Sequence, residues 1–135
     1  MDGCTVLLVD DESDFREVVA KRLRKRRFNL LSVDTGREAL RIVAEHGVDV
    51  VVLDVRMPDM DGIETLRRIK EADPTLEVIL LSGHANADVA MRGMDLGAFD
   101  YLMKPADIDT LMARVQDAHR RRCLAKAQGA GGQSR

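Results

Sequence analysis

Short runs of uninterrupted apolar residues, most of them closing on a charged or polar residue, constrain this chain more than any other feature. "CTVLLV" (4–9), "VDVVVL" (48–53), "EVILL" (77–81) and the weaker "FDYLM" (99–103) are separated by amphipathic stretches, and a fifth run, "NLLSV" (29–33), is more polar. Apolarity that continues instead of alternating belongs to strands covered on both faces.

The intervening stretches have helical periodicity. Ser13 can cap a helix that places Phe15, Val18, Val19 and Leu23 on one face. Thr35 and Glu38 have capping-box spacing ahead of Leu40 and Val43, and Gly47 can end that helix. Asp61 with Glu64 opens a third helix before Leu66 and Ile69. Asp107 precedes Ile108, Leu111, Met112 and Val115 at the same period. A fourth helix, about Asn86 to Leu96, has Ala90, Met91 and Met94 as its apolar face and Gly93 in its interior, which costs roughly 1 kcal/mol against Ala. Its hold on the body is therefore expected to be loose. Strict alternation of strand and helix predicts an α/β domain, a parallel sheet with helices on both faces, because right-handed crossovers leave few other topologies. One domain over 1–124 is expected, with "AKAQGAGGQSR" (125–135) as a flexible C-terminal tail or the start of a linker.

Ligands of an open parallel sheet bind beyond the carboxyl ends of its strands, where strand order reverses. The residues found there are Asp10 and Asp11 after the first strand, Asp54 after the third, Ser82 after the fourth and Lys104 after the fifth. With strand order 2-1-3-4-5, one crevice gathers all three aspartates. Two unit charges ~4 Å apart repel by roughly 4 kcal/mol at an effective dielectric of about 20, so such a cluster requires a proton or a cation. Oxygen-only ligands suit magnesium, which keeps several waters and favours sites completed by a phosphate.

"VDDE" (9–12), "LDVRMPDMDG" (53–62), "LSGHA" (81–85) and "YLMKP" (101–105), in this order and each at a strand end, make the chain resemble a receiver domain of two-component response regulators, to about Cys123. The resemblance implies a flavodoxin-like (βα)5 three-layer sandwich. It implies Asp54 as phosphoacceptor and a magnesium ion held by Asp10, Asp11, Asp54 and the backbone carbonyl of Arg56. Ser82 and Tyr101 would be switch residues, with Lys104 and Ser82 contacting the phosphoryl group and the Lys104–Pro105 bond in the cis form. A carboxylate attacks phosphorus poorly until its charge and that of the incoming oxygens are balanced, and a metal and the Lys104 ammonium supply that balance. The implied partners are a histidine kinase or histidine phosphotransfer protein as donor and a downstream effector protein or domain. Phosphorylation-dependent dimerisation also fits the resemblance.

Each residue has a second reading. Aspartates after strands often cap helices, "MPDMDG" is also turn chemistry, and a lysine before proline is often an exposed loop residue. Rival functions read less well. An aspartate-nucleophile phosphatase wants an acid two residues after the nucleophile, where this chain has Arg56. A flavin or nucleotide binder wants a glycine- or hydroxyl-rich loop after the first strand, where this chain has "DDESD". The chain also reads as the phosphorylated N-terminal receiver portion of a larger DNA-binding or enzymatic regulator.

The formal charge of −2 gives no overall bias toward nucleic acid or membrane. "KRLRKRR" (21–27) and "RRR" (120–122) read as solvated basic faces, so no direct nucleic-acid or membrane contact is expected. Cys4 and Cys123 lack metal-ligand spacing, as do His46, His84 and His119, and the histidines read as exposed or capping residues. A reducing cytoplasmic setting fits the two cysteines.

Overall fold

A computed structural model describes residues 3–26, 28–57, 59–84, 86–104 and 107–133. Strands and helices alternate as β1 (Thr5–Val9), α1 (Ser13–Lys25), β2 (Asn29–Val33), α2 (Gly36–Glu45), β3 (Val50–Asp54), α3 (Gly62–Ala72), β4 (Glu77–Ser82), α4 (Ala87–Asp95), β5 (Asp100–Met103) and α5 (Ile108–Gln133). The five strands form one parallel sheet in the order β2-β1-β3-β4-β5.

The apolar runs divide by the two-residue period of a strand. Leu7, Val9, Val51, Leu53, Val78 and Leu80 pack beneath Ala39 and Ile42 of α2 and Ile63, Leu66 and Ile69 of α3. On the opposite face Val6, Leu8, Val50, Val52, Ile79 and Leu81 meet Val19 and Leu23 of α1 and Leu111, Met112, Val115 and Ala118 of α5. Every residue of β3 and β4 is buried, which is why those runs do not alternate.

Side chains fix several helix starts. Thr35 accepts from the Glu38 amide at 3.1 Å, Asp61 from the Glu64 amide at 2.8 Å and Asn86 from the Val89 amide at 3.1 Å. Ser13 is the first helical residue of α1 and not its cap; the cap position is Glu12, whose own amide donates to Asp10 Oδ1 at 2.9 Å. Val18 is exposed, and the buried stripe of α1 is Val19, Ala20 and Leu23. Met91 and Met94 of α4 are also exposed; Val89 and Leu96 turn toward the core instead. Gly93 is buried against Leu80, leaving no room for a β-carbon unless Leu80 moves, so that glycine serves close packing of α4 on β4. Helix α5 continues through the stretch read as a tail, but no side chain in 123–128 is buried, so its end projects from the body.

Candidate functional site

β1 and β3 pair in register, with Val9 opposite Leu53. The next residues, Asp10 and Asp54, therefore emerge side by side at the carboxyl edge, both buried. Lys104, following β5, is fixed by its amide, which donates to the Ser82 carbonyl at 2.7 Å. Its ammonium reaches across the edge to lie 2.6 Å from Asp10 Oδ2, 2.7 Å from Glu12 Oε1 and 3.4 Å from Asp54 Oδ2. The Phe15 ring lies beneath it, 4.6 Å from Nζ to centroid.

Charge crowding shows in the titration of these groups. Asp54 is pushed above the usual carboxylate range, first by burial and then by the facing Asp10, with Lys104 and the Arg56 amide opposing the shift. Burial works against the Lys104 charge, yet close contacts with Asp10 and Glu12 outweigh it and raise the ammonium above its ordinary value. Glu12 is lowered by its hydrogen bond to Lys104.

One oxygen stands out. Lys104 approaches Asp10 Oδ2 as an ion pair outside hydrogen-bonding geometry, and this buried oxygen has no hydrogen-bond partner among the described residues. Asp10, Glu12 and Asp54 place carboxylate oxygens within 4.8 Å of one another, a hard, oxygen-only donor set. Asp11 is not in that group. It is exposed and borders a neighbouring cavity with Val55, Arg56, Met57 and Asp61. Glu12, which the strand-end argument does not place at the site, joins the group because Lys104 draws it in. Arg56 lines the same cavity as Asp11, and its amide donates to Asp54 Oδ1 at 3.3 Å.

Ser82 ends β4 with its hydroxyl donating to the His84 carbonyl at 2.8 Å and accepting from the His84 amide at 3.2 Å. Tyr101 is half-buried, packs against the core and donates to the same His84 carbonyl at 3.2 Å. Both expected switch residues are thus tied to one loop. The peptide bond expected to be cis involves Pro105, which lies outside the described residues. Gly62 opens α3 with its amide donating to the Val55 carbonyl at 2.8 Å. A β-carbon there would come within 2.5 Å of the Asp54 carbonyl oxygen and 2.7 Å of Val55 Cα, so only glycine lets α3 approach the loop carrying Asp54 this closely.

A doubly wound parallel sheet, an acidic crevice at its carboxyl edge and a lysine bridging that crevice define a receiver-type module. The sequence matches the response regulator receiver domain across residues 6–116, and the chain belongs to that family. It is 37% identical over 117 residues to the transcriptional regulatory protein ZraR of Escherichia coli K12, covering 87% of this chain and 26% of that protein. It is 40% identical over 113 residues to the DNA-binding transcriptional regulator NtrC of the same strain, covering 84% of this chain and 24% of that protein. The chain thus spans about a quarter of the length of these relatives. Among solved structures, a response regulator receiver domain protein from Clostridium thermocellum superposes with a TM-score of 0.86 at 35% identity, covering 90% of this chain and 98% of that one. NtrX from Brucella abortus superposes with a TM-score of 0.88 at 29% identity, covering 96% of this chain and 30% of that one.

Proposed function

We propose that Asp54 accepts a phosphoryl group from a histidine kinase or histidine phosphotransfer protein and that the chain signals by changing its partner-binding surface. The observation carrying this reading is the Lys104 ammonium held between Asp10 and Asp54 at 2.6 and 3.4 Å. A cation so placed offsets the charge of the nucleophile and meets the incoming phosphoryl oxygens. Asp10 Oδ2, which Lys104 meets as an ion pair, and the oxygen-only cluster around it fit magnesium, which Asp10 and Asp54 would hold with the neighbouring Asp11 and the Arg56 carbonyl. When bound, the ion supplies the second neutralising charge on the phosphoryl oxygens.

Asp54 supplies the attacking oxygen, and the Arg56 amide orients its carboxylate. Lys104 holds the phosphorylated state by ion pairing. The Ser82 hydroxyl, released from the His84 carbonyl, donates to a phosphoryl oxygen, and the carbonyl it leaves keeps the Tyr101 hydroxyl. Loss of that shared anchor couples the loop to Tyr101, α4 and the β5 edge, the surface offered to an effector. Catalysis is confined to the chain's own phosphorylation and dephosphorylation.

Incubation with acetyl phosphate and magnesium, read by intact mass, tests the assignment. One added phosphoryl group is expected on the wild type and none on Asp54→Ala. An unlabelled wild type, or a mutant labelled as fully as wild type, refutes it.

Its share of the lengths of ZraR and NtrC favours a second reading of context: residues 1–124 as the receiver portion of a larger regulator and 125–135 as the start of a linker. The exposed end of α5 suits a segment leading to an effector domain. The mass of the natural gene product distinguishes this from a free-standing receiver. A reducing cytoplasmic setting suits the two free thiols, Cys4 and Cys123. No described helix is long and apolar enough to cross a membrane.

A further inference from the structure

The opposite edge of the sheet carries a second constellation that the phosphoryl chemistry does not use. Cys4 immediately precedes β1 and Asp49 immediately precedes β3, so these two strands carry a ligand-type residue at each end: Cys4 and Asp10 on one, Asp49 and Asp54 on the other. Six residue steps separate Cys4 from Asp10 and five separate Asp49 from Asp54, so the ends lie roughly 17–20 Å apart. Cys4, Asp49 and His119 of α5 bring donor atoms within 4.8 Å of one another. One helical turn beyond, Cys123 Sγ lies 3.5 Å from His119 Nε2.

We infer that Cys4, Asp49 and His119 form a zinc-class divalent metal site at the amino edge of the sheet, which Cys123, in contact with His119, completes on closing in as the fourth ligand. The donor set is two thiols, an imidazole and a carboxylate, which suits a tetrahedral ion of intermediate softness and is foreign to magnesium. Geometry supports it. Cys4, Asp49 and His119 already hold their donors within 4.8 Å of one another, and Cys123 stands 3.5 Å from His119, close to the ligand–ligand spacing set by Zn–S of about 2.3 Å and Zn–N of about 2.0 Å, so the remaining movement is that of the exposed Cys123 side chain toward the other two. The i, i+4 pair of one helix supplies half the ligands and the residues preceding β1 and β3 supply the rest, so the ion would fasten α5 to the amino ends of those two strands.

The carboxylate is already oriented. Asp49 Oδ2 accepts from the Thr5 amide at 2.9 Å and Oδ1 from Arg122 Nε at 3.0 Å, leaving lone pairs on both oxygens. Cys4 is fully buried whereas Cys123 is exposed, which gives an ion an entry side and a closed inner side. On binding, both thiols release their protons to solvent and no redox change occurs.

Titration of the reduced, metal-free full chain with Co2+ tests the inference. A thiolate-to-cobalt charge-transfer band that saturates near one ion per chain and is bleached by Zn2+ is expected. Cys123→Ser and His119→Ala, both changes outside the core, should each weaken binding at least tenfold while leaving the far-ultraviolet circular dichroism unchanged. Asp54→Ala should leave the band intact, separating this site from the acidic crevice, which has no thiolate. Absence of the band, a band of equal affinity in both variants, or a Cys4–Cys123 disulfide forming on air oxidation in a chain that shows no band when reduced would overturn it.

Discussion

Replacing Lys104 by Met keeps most of the side-chain volume and removes the charge that makes the acidic crevice tolerable. At an effective dielectric of about 20, the 2.6 Å contact with Asp10 and the 3.4 Å contact with Asp54 correspond to gross attractions of about 6 and about 5 kcal/mol. Most of this is cancelled by the desolvation that a nearly buried ammonium no longer suffers. Breaking a buried pair from one side generally costs about 3–5 kcal/mol, and the exposed Glu12 adds little, so about 3 kcal/mol is expected at neutral pH. For a domain of this size that lowers Tm by roughly 10 °C. The penalty must depend on pH. Asp54 already lies above the usual carboxylate range through burial and then Asp10, so the folded chain holds that proton more tightly than the unfolded one. A raised carboxylate contributes stability below its unfolded value and loses it as pH rises through the folded value. Without Lys104 the shift grows, so the penalty is full at neutral pH and shrinks on mild acidification. Urea denaturation of both proteins across pH 5–8 measures it, and adding Asp54→Asn to Lys104→Met should recover much of the loss. Equal destabilisation at every pH, or none, would refute the reasoning.

Gly62→Ala should cost about 2–3 kcal/mol by urea midpoint, because its β-carbon meets backbone atoms of Asp54 and Val55 that cannot rotate away. The same variant should accept phosphate more slowly from acetyl phosphate, as the Asp54 loop shifts. Arg122→Ala should cost about 2–3 kcal/mol at neutral pH, measured by thermal denaturation, because Arg122 is buried between Asp49 and Asp73 at 3.0 Å from each and bonds Thr75 Oγ1. Asp73 is held below the usual carboxylate range, with Thr75 and Arg122 overcoming its burial, so this contribution fades as pH falls through that lowered value. Thr35→Ala should cost about 1 kcal/mol through loss of the α2 cap, with unchanged phosphorylation.

The layers were legible in the sequence because the apolar runs of β1, β3 and β4 could be buried only on both faces, whereas the order β2-β1-β3-β4-β5 came with the receiver resemblance and not from the runs themselves. The caps at Thr35 and Asp61 were legible for a similar reason: a side-chain oxygen three residues from the amide it serves is a local relation. Relations across the fold were not. Val18, Met91 and Met94 are apolar and correctly spaced, but which stripe of a helix meets the sheet is decided by docking, and these three face outward. Glu12 joins the crevice only because Lys104, 92 residues away, draws its carboxylate in, whereas the adjacent Asp11 turns to the cavity.

The strongest contrast lies in the basic and thiol residues of α5. "RRR" reads locally as a solvated run, yet Arg122 is buried in two ion pairs, Arg121 meets buried Glu77 at 3.0 Å and Arg120 remains outside. Cys4 and Cys123 have no spacing that connects them, and only the packing of α5 on the sheet brings His119 to Cys4 and Asp49, with Cys123 beside His119. Local hydrogen bonding and apolar periodicity act over a few residues and can be read along the chain. Charge pairing and ligand geometry act over a few ångströms, and such distances exist only after the chain has folded.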